Sequence, residues 1–420
     1  MGQYDRQAQS QRKHGPLPNS GAAKVPAPPP SQKPEWRGSG YVKKRAPRQS
    51  QATPSKPIPT PQEQRLPDEL QQLILNIFRY TFLVSKDFDD WKGILREVNE
   101  ALLQGDYGKA FENEEFREGY ALRWSPSRSL VYANVLAWMC DEWPDDPWVT
   151  HLLNHKSNAR PSKVVCFGGG AAEVMAFAGL IRHLQPASAG KPSQSQSDEP
   201  DDPTTPQKQS SIVDLYLVDA ADWSSVMTKL ETGTTTPPIL SKYASAAARA
   251  SNAALLGPDS LSTSFHHADI LDLSTEDLRK TVGSEPLMMT FFLTLNDLYT
   301  TSIPRTTALL RKLDTVAPKD GILLVIDSIG ASSCPVTSRE QLDQLLETTP
   351  SYPMDWLLDR VLMGKPQRSK EKDEDEEKEQ KPRWEKIAEE KLKQHKLNEK
   401  LGYPGSLENM RFQLHAYRRV

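Results

Sequence analysis

The segment that most constrains how this chain can fold spans residues 163–184 and reads KVVCFGGGAAEVMAFAGLIRHL. Residues 164–167 are apolar and have the length of a buried strand. Three glycines follow, and they allow a tight turn in which the backbone can lie directly against a ligand. From Ala172 onward, apolar residues recur at helical spacing. We therefore predict the first strand, turn and helix of a nucleotide-binding type of α/β fold. A tight turn that binds nothing is the alternative.

Composition divides the chain of 420 residues into three predicted parts. Residues 1–66 are rich in proline and carry twelve Lys and Arg against three Asp and Glu, which indicates a disordered basic arm. Such an arm is typical of nucleic-acid binding or nuclear import, and a solvated linker is the alternative. Residues 67–155 have helical periodicity and form a predicted helical subdomain. Residues 156–420 form the predicted α/β domain.

The helical subdomain is expected to pack on the α/β domain or to cap it. Within it we predict helices over residues 87–103 and 107–122, and a further helix with Ser125 as N-cap and Pro126 at its first position. Four tryptophans lie in this region, and we interpret them as core residues rather than as a base-stacking platform: Trp91, Trp124, Trp138 and Trp143.

Apolar strands alternate with helices through the α/β domain. Strands are predicted to end at Asp219 and near Asp269, and others to cover residues 287–299, 321–328 and the terminal SLENMRFQLHAYRRV, the last with one more polar face. Low-complexity stretches at 186–211 and 365–381 are interpreted as insertions. This alternation predicts a mostly parallel, doubly wound sheet.

The three cysteines lie far apart, which indicates neither a disulfide framework nor a zinc site and is typical of a reducing compartment. No apolar run reaches about 18 residues, so we expect no membrane span. The first residues lack an apolar signal core, so we do not expect secretion. His266 and His267 are interpreted as strand-edge residues, because they have no partner at metal-ligand spacing.

The glycine turn departs from the dinucleotide fingerprint, which has a third glycine where this chain has Glu173. A carboxylate near a helix N-terminus competes with a pyrophosphate for the positive end of the helix. S-adenosylmethionine contains no phosphate, and its sulfonium and ammonium groups are cationic. The pattern therefore favours S-adenosylmethionine as the cofactor.

An acidic residue that binds ribose hydroxyls usually follows the glycines by about 20 positions. Asp219 lies 49 positions beyond Gly170, and 23 once the 26-residue insertion is left out. Asp269, after the next strand, is placed to accept a hydrogen bond from an adenine amino group. The predicted cofactor-binding residues are Gly168, Gly169, Gly170, Glu173, Asp219, Asp269 and Ile270.

From about residue 67 to its end, the chain resembles a fungal family of S-adenosylmethionine-dependent methyltransferases that includes a large-subunit (25S) ribosomal-RNA uridine-N3 methyltransferase. The resemblance rests on RWSPSR at 123–128, VVCFGGGAAE, TLNDLY and LENMRFQLHAYRRV. It implies a Rossmann-like class I methyltransferase, with a seven-stranded, mostly parallel sheet whose last strand, residues 411–418, is antiparallel. It also implies methyl transfer to N3 of a uridine. The family commonly has one more residue between the glycines and the glutamate.

The sequence NDLY after the fourth strand resembles a diverged form of the Asn/Asp-Pro-Pro-Tyr/Phe loop of nitrogen methyltransferases. Uridine N3 carries a weakly acidic proton that must leave, so a general base would help the reaction. The hypothesis gives Asn296 a positioning role, Asp297 the role of proton acceptor, and Tyr299 the stacking of a flipped base. Alternatively, Asn296 and Asp297 only cap the next helix.

The sequence leaves alternative roles for several polar residues and alternative functions for the protein. Ser125, Ser127, Arg123 and Arg128 could contact cofactor or RNA, and the terminal YRR could contact phosphates or lie in solvent. Alternative functions are methylation of a protein or small molecule, and a non-catalytic ribosome-assembly role. The expected partner is ribosomal RNA or the pre-ribosome, with no metal and no membrane. We expect a monomer located in the nucleus or nucleolus, with the cytoplasm as the alternative.

Overall fold

The computed structural model describes residues 64–83, 87–154, 160–185, 211–239, 252–329, 353–364 and 383–420, with residues 243, 245, 246 and 249. The predicted basic arm, apart from residues 64–66, lies outside the described residues. The predicted insertions lie outside them too, apart from residue 211.

Seven strands form one sheet in the order β3-β2-β1-β4-β5-β7-β6. Strands β1 to β5 run parallel, and β7 is antiparallel to both of its neighbours, β5 and β6. This is the predicted mostly parallel seven-stranded sheet with an antiparallel last strand, so the predicted fold class is confirmed. The strands are β1 Ser162–Phe167, β2 Val213–Asp219, β3 Leu261–His267, β4 Met288–Phe292, β5 Ile322–Asp327, β6 Trp384–His395 and β7 Met410–Arg419.

Helices cover both faces of the sheet, which explains why its central strands read as continuous apolar runs. In β1, Val164 and Cys166 belong to one buried cluster, and Val165 and Phe167 to the other. The helices are α1 Asp68–Phe82, α2 Lys92–Leu103, α3 Tyr107–Ala110, α4 Glu114–Arg123, α5 Ser125–Glu142, α6 Pro147–Leu153, α7 Ala171–Leu184, α8 Ser224–Thr235, α9 Thr275–Val282, α10 Leu295–Val316 and α11 Met354–Leu362. Short 3-10 helices cover Phe88–Trp91 and Ile270–Asp272.

The helices before the sheet share an apolar core with it. Helix α5 packs on α7, and α1 contacts α7 so closely that a Cβ at Gly179 would lie 2.7 Å from Ile74 Cδ1. The single helix predicted over 107–122 is two helices, because Asn113 caps α4 by accepting a hydrogen bond from Phe116 N. Helix α5 begins at Ser125 itself, one residue earlier than expected from the Ser-Pro start.

The more polar face predicted for β7 is present at its start, where Arg411 is exposed and Gln413 is half-buried, but the same face is buried further along the strand. His415 is fully buried, and so is Tyr417. The cause is position: β7 lies inside the sheet between β5 and β6, and α11 contacts it through the hydrogen bond from Tyr417 Oη to Asp359 Oδ1, 2.8 Å long. Strand β6, which the charged sequence WEKIAEEKLKQH did not indicate, forms the edge in its place.

The C-terminal YRR segment is engaged within the protein rather than free to contact phosphates. Arg418 donates two hydrogen bonds to Asp146 Oδ2, from Nε at 2.9 Å and from a terminal nitrogen at 2.7 Å. The other oxygen of Asp146 caps α6 by accepting from Trp148 N at 3.0 Å. The Asp146 side chain has no exposed surface and the Arg418 side chain is partly buried, so a partly buried ion pair connects the end of β7 to α6.

Replacing Asp146 with alanine is expected to lower the free energy of unfolding by about 2 kcal/mol, because the partly buried guanidinium of Arg418 and the N-terminus of α6 lose their acceptor together. Urea denaturation measures the change. Asp145→Ala is the matched control, since Asp145 is an exposed neighbour. Equal stability of the two variants would contradict a stabilising role for the ion pair.

Candidate active site

A cavity of about 960 Å³ opens at the carboxyl ends of β1, β2 and β4. Its walls come from the strand ends, from helices α2 to α5 and from residues 408–411 before and at the start of β7. In an open α/β sheet this edge is where ligands bind. The described part of the chain has no group of three or more His, Cys, Asp or Glu placed to hold a metal ion. Among the described helices, none is long and apolar enough to cross a membrane.

The glycine turn leaves β1 at the base of this cavity. Gly168 has a φ of +77°, and a Cβ there would lie 2.2 Å from Thr294 Oγ1. A Cβ on Gly169 would lie 2.6 Å from Cys166 Cβ, and one on Gly170 would lie 3.3 Å from the Trp223 ring. Gly168 and Gly170 line the cavity, whereas Gly169 faces the protein. The turn therefore presents bare backbone to a ligand.

Glu173 occupies the N-terminus of α7 from within the protein. Gly170 N donates to Glu173 Oε2 at 2.7 Å, so the side chain caps its own helix. The side chain is buried, and burial raises its pKa to about 7 although the hydrogen bond from Gly170 acts in the opposite direction. A phosphate would have to displace this carboxylate. The site thus fits a ligand without phosphates, as the sequence indicated.

The raised pKa of Glu173 has a consequence for stability. The unfolded chain releases this proton near pH 4.5, while the folded protein keeps it to about pH 7. The folded state therefore binds more protons across this interval, and stability falls as the pH rises through it. The rise of the Glu173 pKa from 4.5 to about 7 corresponds to a loss of roughly 3 kcal/mol in the free energy of unfolding as the pH increases across this interval.

We expect Glu173→Gln to flatten this pH dependence, because glutamine still accepts from Gly170 N but does not titrate. Urea unfolding of the cofactor-free protein at pH 5 and pH 8 measures it in both proteins. The loss of stability between the two pH values should be smaller in the variant. An identical loss in both would contradict a buried, titrating Glu173.

Asp219 ends β2 beside the glycine turn. Its Oδ1 accepts from Ala221 N at 2.7 Å, and burial raises its pKa to about 6. Trp223 donates a side-chain hydrogen bond to the same carboxylate. His267 lines the cavity as well, with Nε2 2.8 Å from Ala220 O, so it is more than a strand-edge residue. These contacts fix the Asp219 carboxylate at the cavity wall beside the glycine turn.

Asp269 and Ile270 line the cavity after β3. Asp269 Oδ1 accepts from Leu271 N at 2.9 Å, and its Oδ2 lies 3.5 Å from an Arg305 nitrogen. Ile270 is buried and offers an apolar surface. The structure therefore brings six of the seven predicted cofactor-binding residues to one cavity, all except Gly169.

An aromatic cluster that the sequence did not assign to the site also lines the cavity. Tyr120 lies at its centre, with ring centroids 4.9 Å from Phe111, 5.3 Å from Trp124 and 5.7 Å from Trp223. Arg128 donates to Tyr120 Oη and lies 5.1 Å from the centre of that ring. The high number of tryptophans in the helical region was the sequence signal that could have indicated this cluster. Trp91 and Trp138 are core residues as predicted, whereas Trp124 lines the cavity.

Of the serines and arginines around the start of α5, three line the cavity and two contact Glu408. Ser125 and Arg128 line the cavity. Ser127 lines it too and accepts a hydrogen bond from Glu408 N at 2.9 Å, while Arg123 forms an ion pair with Glu408. The terminal LENMR segment is thereby fastened against the helices and closes one side of the cavity.

Of the three predicted catalytic residues, only Asp297 lines the cavity. Helix α10 begins at Leu295, with Thr294 at its N-cap, so Asn296 and Asp297 lie in its first turn. Asn296 and Tyr299 are three residues apart and share the helix face directed at the protein interior. The structure thus does not bring Asn296 or Tyr299 to the cavity wall.

Tyr299 is 8% exposed and belongs to the apolar cluster on the far face of the sheet. Its hydroxyl has no hydrogen-bond partner among the described residues, and burial raises its pKa. A base cannot stack on this ring as placed, so the predicted stacking role of Tyr299 is corrected. Asn296 is 6% exposed and donates to Asp327 and Ser328.

The sheet order, the glycine turn without a phosphate site and the acidic residue after β2 define a class I methyltransferase fold. Residues 78–418 match the family described as "Putative SAM-dependent methyltransferase", and the chain belongs to that family. Its cofactor is S-adenosylmethionine.

A curated relative from Saccharomyces cerevisiae is named 25S rRNA (uridine(2843)-N(3))-methyltransferase. It is 28% identical over 355 residues, which cover 82% of this chain and 85% of the relative. Among solved structures, a DUF574 family protein from Streptomyces avermitilis has 12% identity and a TM-score of 0.36, covering 82% of this chain and 97% of its own. The N-methyltransferase NodS from Bradyrhizobium japonicum, solved with S-adenosyl-L-homocysteine, has 12% identity and a TM-score of 0.27, covering 66% and 90%.

Proposed function

We propose that this protein methylates N3 of a uridine in large-subunit ribosomal RNA. The observation that carries the proposal is the similarity to the yeast 25S rRNA uridine-N3 methyltransferase across 82% of the chain. The cavity, about 960 Å³ in volume, supports it. It lies at the upper end of the range of about 300–1,000 Å³ for ligand pockets, which suits a cofactor together with a nucleoside.

The residues around the glycine turn fit S-adenosylmethionine. Gly168 and Gly170 leave the backbone bare, and the N-terminus of α7 is already capped by Glu173. We assign Asp219 to the ribose hydroxyls, and Asp269 and Ile270 to the adenine. When bound, the cofactor supplies an electrophilic methyl group attached to a cationic sulfur. The two carboxylates, Asp219 and Asp269, also complement its positive charge.

Asp297 is the group we assign to the substrate proton. It is half-buried, lines the cavity and belongs to the helix turn that follows β4. With S-adenosylmethionine bound, transfer of its methyl group to N3 would break the carbon–sulfur bond and leave S-adenosylhomocysteine. The Asp297 carboxylate would take the N3 proton and pass it to water. Apart from this proton, the protein has mainly to hold the two reactants in line.

Stacking of the target base falls to the aromatic cluster rather than to Tyr299. Tyr120, Trp124 and Phe111 line the cavity, with Tyr120 in ring contact with the other two. Bases that are extruded from RNA structure commonly stack on such side chains. Trp223 contacts the glycine turn and Asp219, so we assign it to the cofactor side. Because ribosomal RNA is the proposed substrate, we also propose that the protein acts in the nucleus or nucleolus, on ribosomal RNA or the pre-ribosome.

Transfer of a tritiated methyl group from S-adenosylmethionine separates RNA methylation from methylation of a protein or a small molecule. The purified full-length protein is incubated with ribosomal RNA, with ribosomal proteins, or with both. We expect the label in the RNA fraction, where ribonuclease releases it. Label that resists ribonuclease and is released by protease, or no transfer at all, would contradict the proposal.

A further inference from the structure

A buried polar group joins the end of β5 to the first turn of α10. Asp327 is 1% exposed and accepts three hydrogen bonds. Asn296 N donates to its Oδ2 at 3.0 Å, and Ser328 N and Asn296 Nδ2 donate to its Oδ1 at 2.7 Å and 3.0 Å. One carboxylate thus holds a backbone amide and a side-chain amide of the same helical residue.

The same group extends to β7. Asn296 Nδ2 lies 2.9 Å from Ser328 O, and Gln413 Nε2 donates to that same carbonyl at 2.8 Å. Gln413 Oε1 in turn lies 3.1 Å from His415 Nε2. Ser328 lines the cavity, whereas Asp327, Asn296 and Gln413 do not. Buried polar chains of this kind hold the groups at their ends in fixed orientation when all members are paired.

Asp297 lies at the cavity end of this chain of hydrogen bonds. Asp297 follows Asn296 directly in the first turn of α10. The backbone N–H of Asn296 is fixed by its hydrogen bond to Asp327. With no carboxylate at position 327, the amide and side chain of Asn296 would lose two acceptors in a buried place, which is costly. The first turn would then relax, and the Asp297 carboxylate would move with it.

We propose that Asp327 is a positioning residue that holds Asp297 at the cavity wall through Asn296, with Gln413 as a second support. The proposal rests on the assignment of Asp297 as proton acceptor. Position 327 requires a carboxylate for its hydrogen-bond acceptors as well as for its size. Three N–H donors converge on Asp327, and an asparagine there would direct an amide N–H of its own at one of them.

The test compares Asp327→Asn with Asp146→Asn. Both remove a buried carboxylate, but Asp146 is paired with Arg418 and does not line the cavity. We expect Asp327→Asn to lower kcat by about 10- to 100-fold, the scale of a displaced catalytic group. The dissociation constant for S-adenosylmethionine should stay near the wild-type value, because Asp327 does not touch that part of the cavity. Asp146→Asn should lower the melting temperature and leave kcat unchanged.

Rescue and hydrogen exchange complete the design. The double variant Asn296→Asp with Asp327→Asn swaps the two residues, so that one side chain again donates a hydrogen bond and the other accepts it. We expect this double variant to recover part of the lost kcat. Amide exchange at residues 295–299 should be faster in Asp327→Asn and unchanged in Asp146→Asn. Wild-type kcat in Asp327→Asn, or equal exchange in both variants, overturns the positioning role. A wild-type protein that does not methylate RNA contradicts the proposed function alone, because the exchange measurement does not need the substrate.

Discussion

Gly168→Ala is expected to abolish detectable cofactor binding and methyl transfer. A Cβ at this position would lie 2.2 Å from Thr294 Oγ1 and 2.4 Å from Thr294 Cγ2, and the backbone has a φ of +77°. Either the turn or the start of α10 must move, and both line the cavity. A displacement of about 1 Å can cost on the order of 100-fold in rate. Calorimetric titration with S-adenosylmethionine measures the loss of binding.

Gly283→Ala separates the effect of backbone strain from that of the collision. Gly283 has the same φ of +77°, but its Cβ would have Lys163 Nζ, at 3.7 Å, as its nearest neighbour. This variant should lose about 1–2 kcal/mol of stability and bind the cofactor normally. If Gly168→Ala binds S-adenosylmethionine as tightly as Gly283→Ala does, the glycine turn does not form the cofactor site.

Asp297→Asn is expected to lower kcat by about 10²–10⁴-fold, the usual contribution of a general base. Asparagine keeps the size of the side chain and its place on α10, but it cannot take the N3 proton. Affinity for S-adenosylmethionine should change little. Single-turnover methylation of RNA measures the rate of the chemical step without product release.

Asp272→Asn is the matched control for this prediction. Asp272 pairs with Arg305 near the cavity without lining it, and it should keep wild-type kcat. Raising the pH should partly restore the rate of Asp297→Asn, because hydroxide then removes the N3 proton. Near-wild-type turnover in Asp297→Asn with the fold intact would rule out the base role.

The position of the glycine turn and of its neighbouring acidic residues could be predicted from the sequence because the determinants are local. Gly168, Gly170 and Glu173 lie within six residues, and the structure shows the predicted turn with Glu173 at the N-terminus of α7. Asp219 became recognisable once the intervening insertion was left out of the spacing. Each of these residues follows a strand whose apolar run is clear in the sequence, so its place at the sheet edge follows from the fold.

The substrate side could not be predicted in the same way, because it depends on contacts between distant segments. Helix α10 begins at Leu295, and Asn296 N in its first turn donates a hydrogen bond to Asp327, which lies 31 residues beyond Asn296. That start directs Tyr299 inward and leaves Asp297 at the cavity. In the aromatic cluster, Tyr120 contacts Trp223, which lies about a hundred residues further along the chain, so no local sequence pattern indicates this contact.

The burial of β7 was missed for a related reason. Its alternating sequence indicates one solvent-exposed face, but α11 packs on the second half of that face, where Tyr417 contacts Asp359. Strand β6 itself is rich in Lys and Glu, a composition typical of exposed loops and frayed helices, and as an edge strand it keeps many of these charges in solvent. Only the assembled sheet shows where either strand lies.

Nucleoside analysis by mass spectrometry tests the central claim most directly. Purified full-length protein is incubated with S-adenosylmethionine and unmodified large-subunit ribosomal RNA made by transcription, and the RNA is digested to nucleosides. N3-methyluridine is expected to appear in amounts equal to the S-adenosylhomocysteine released, with Gly168→Ala as the inactive control. A different methylated nucleoside, or none from a protein that binds the cofactor, would contradict it.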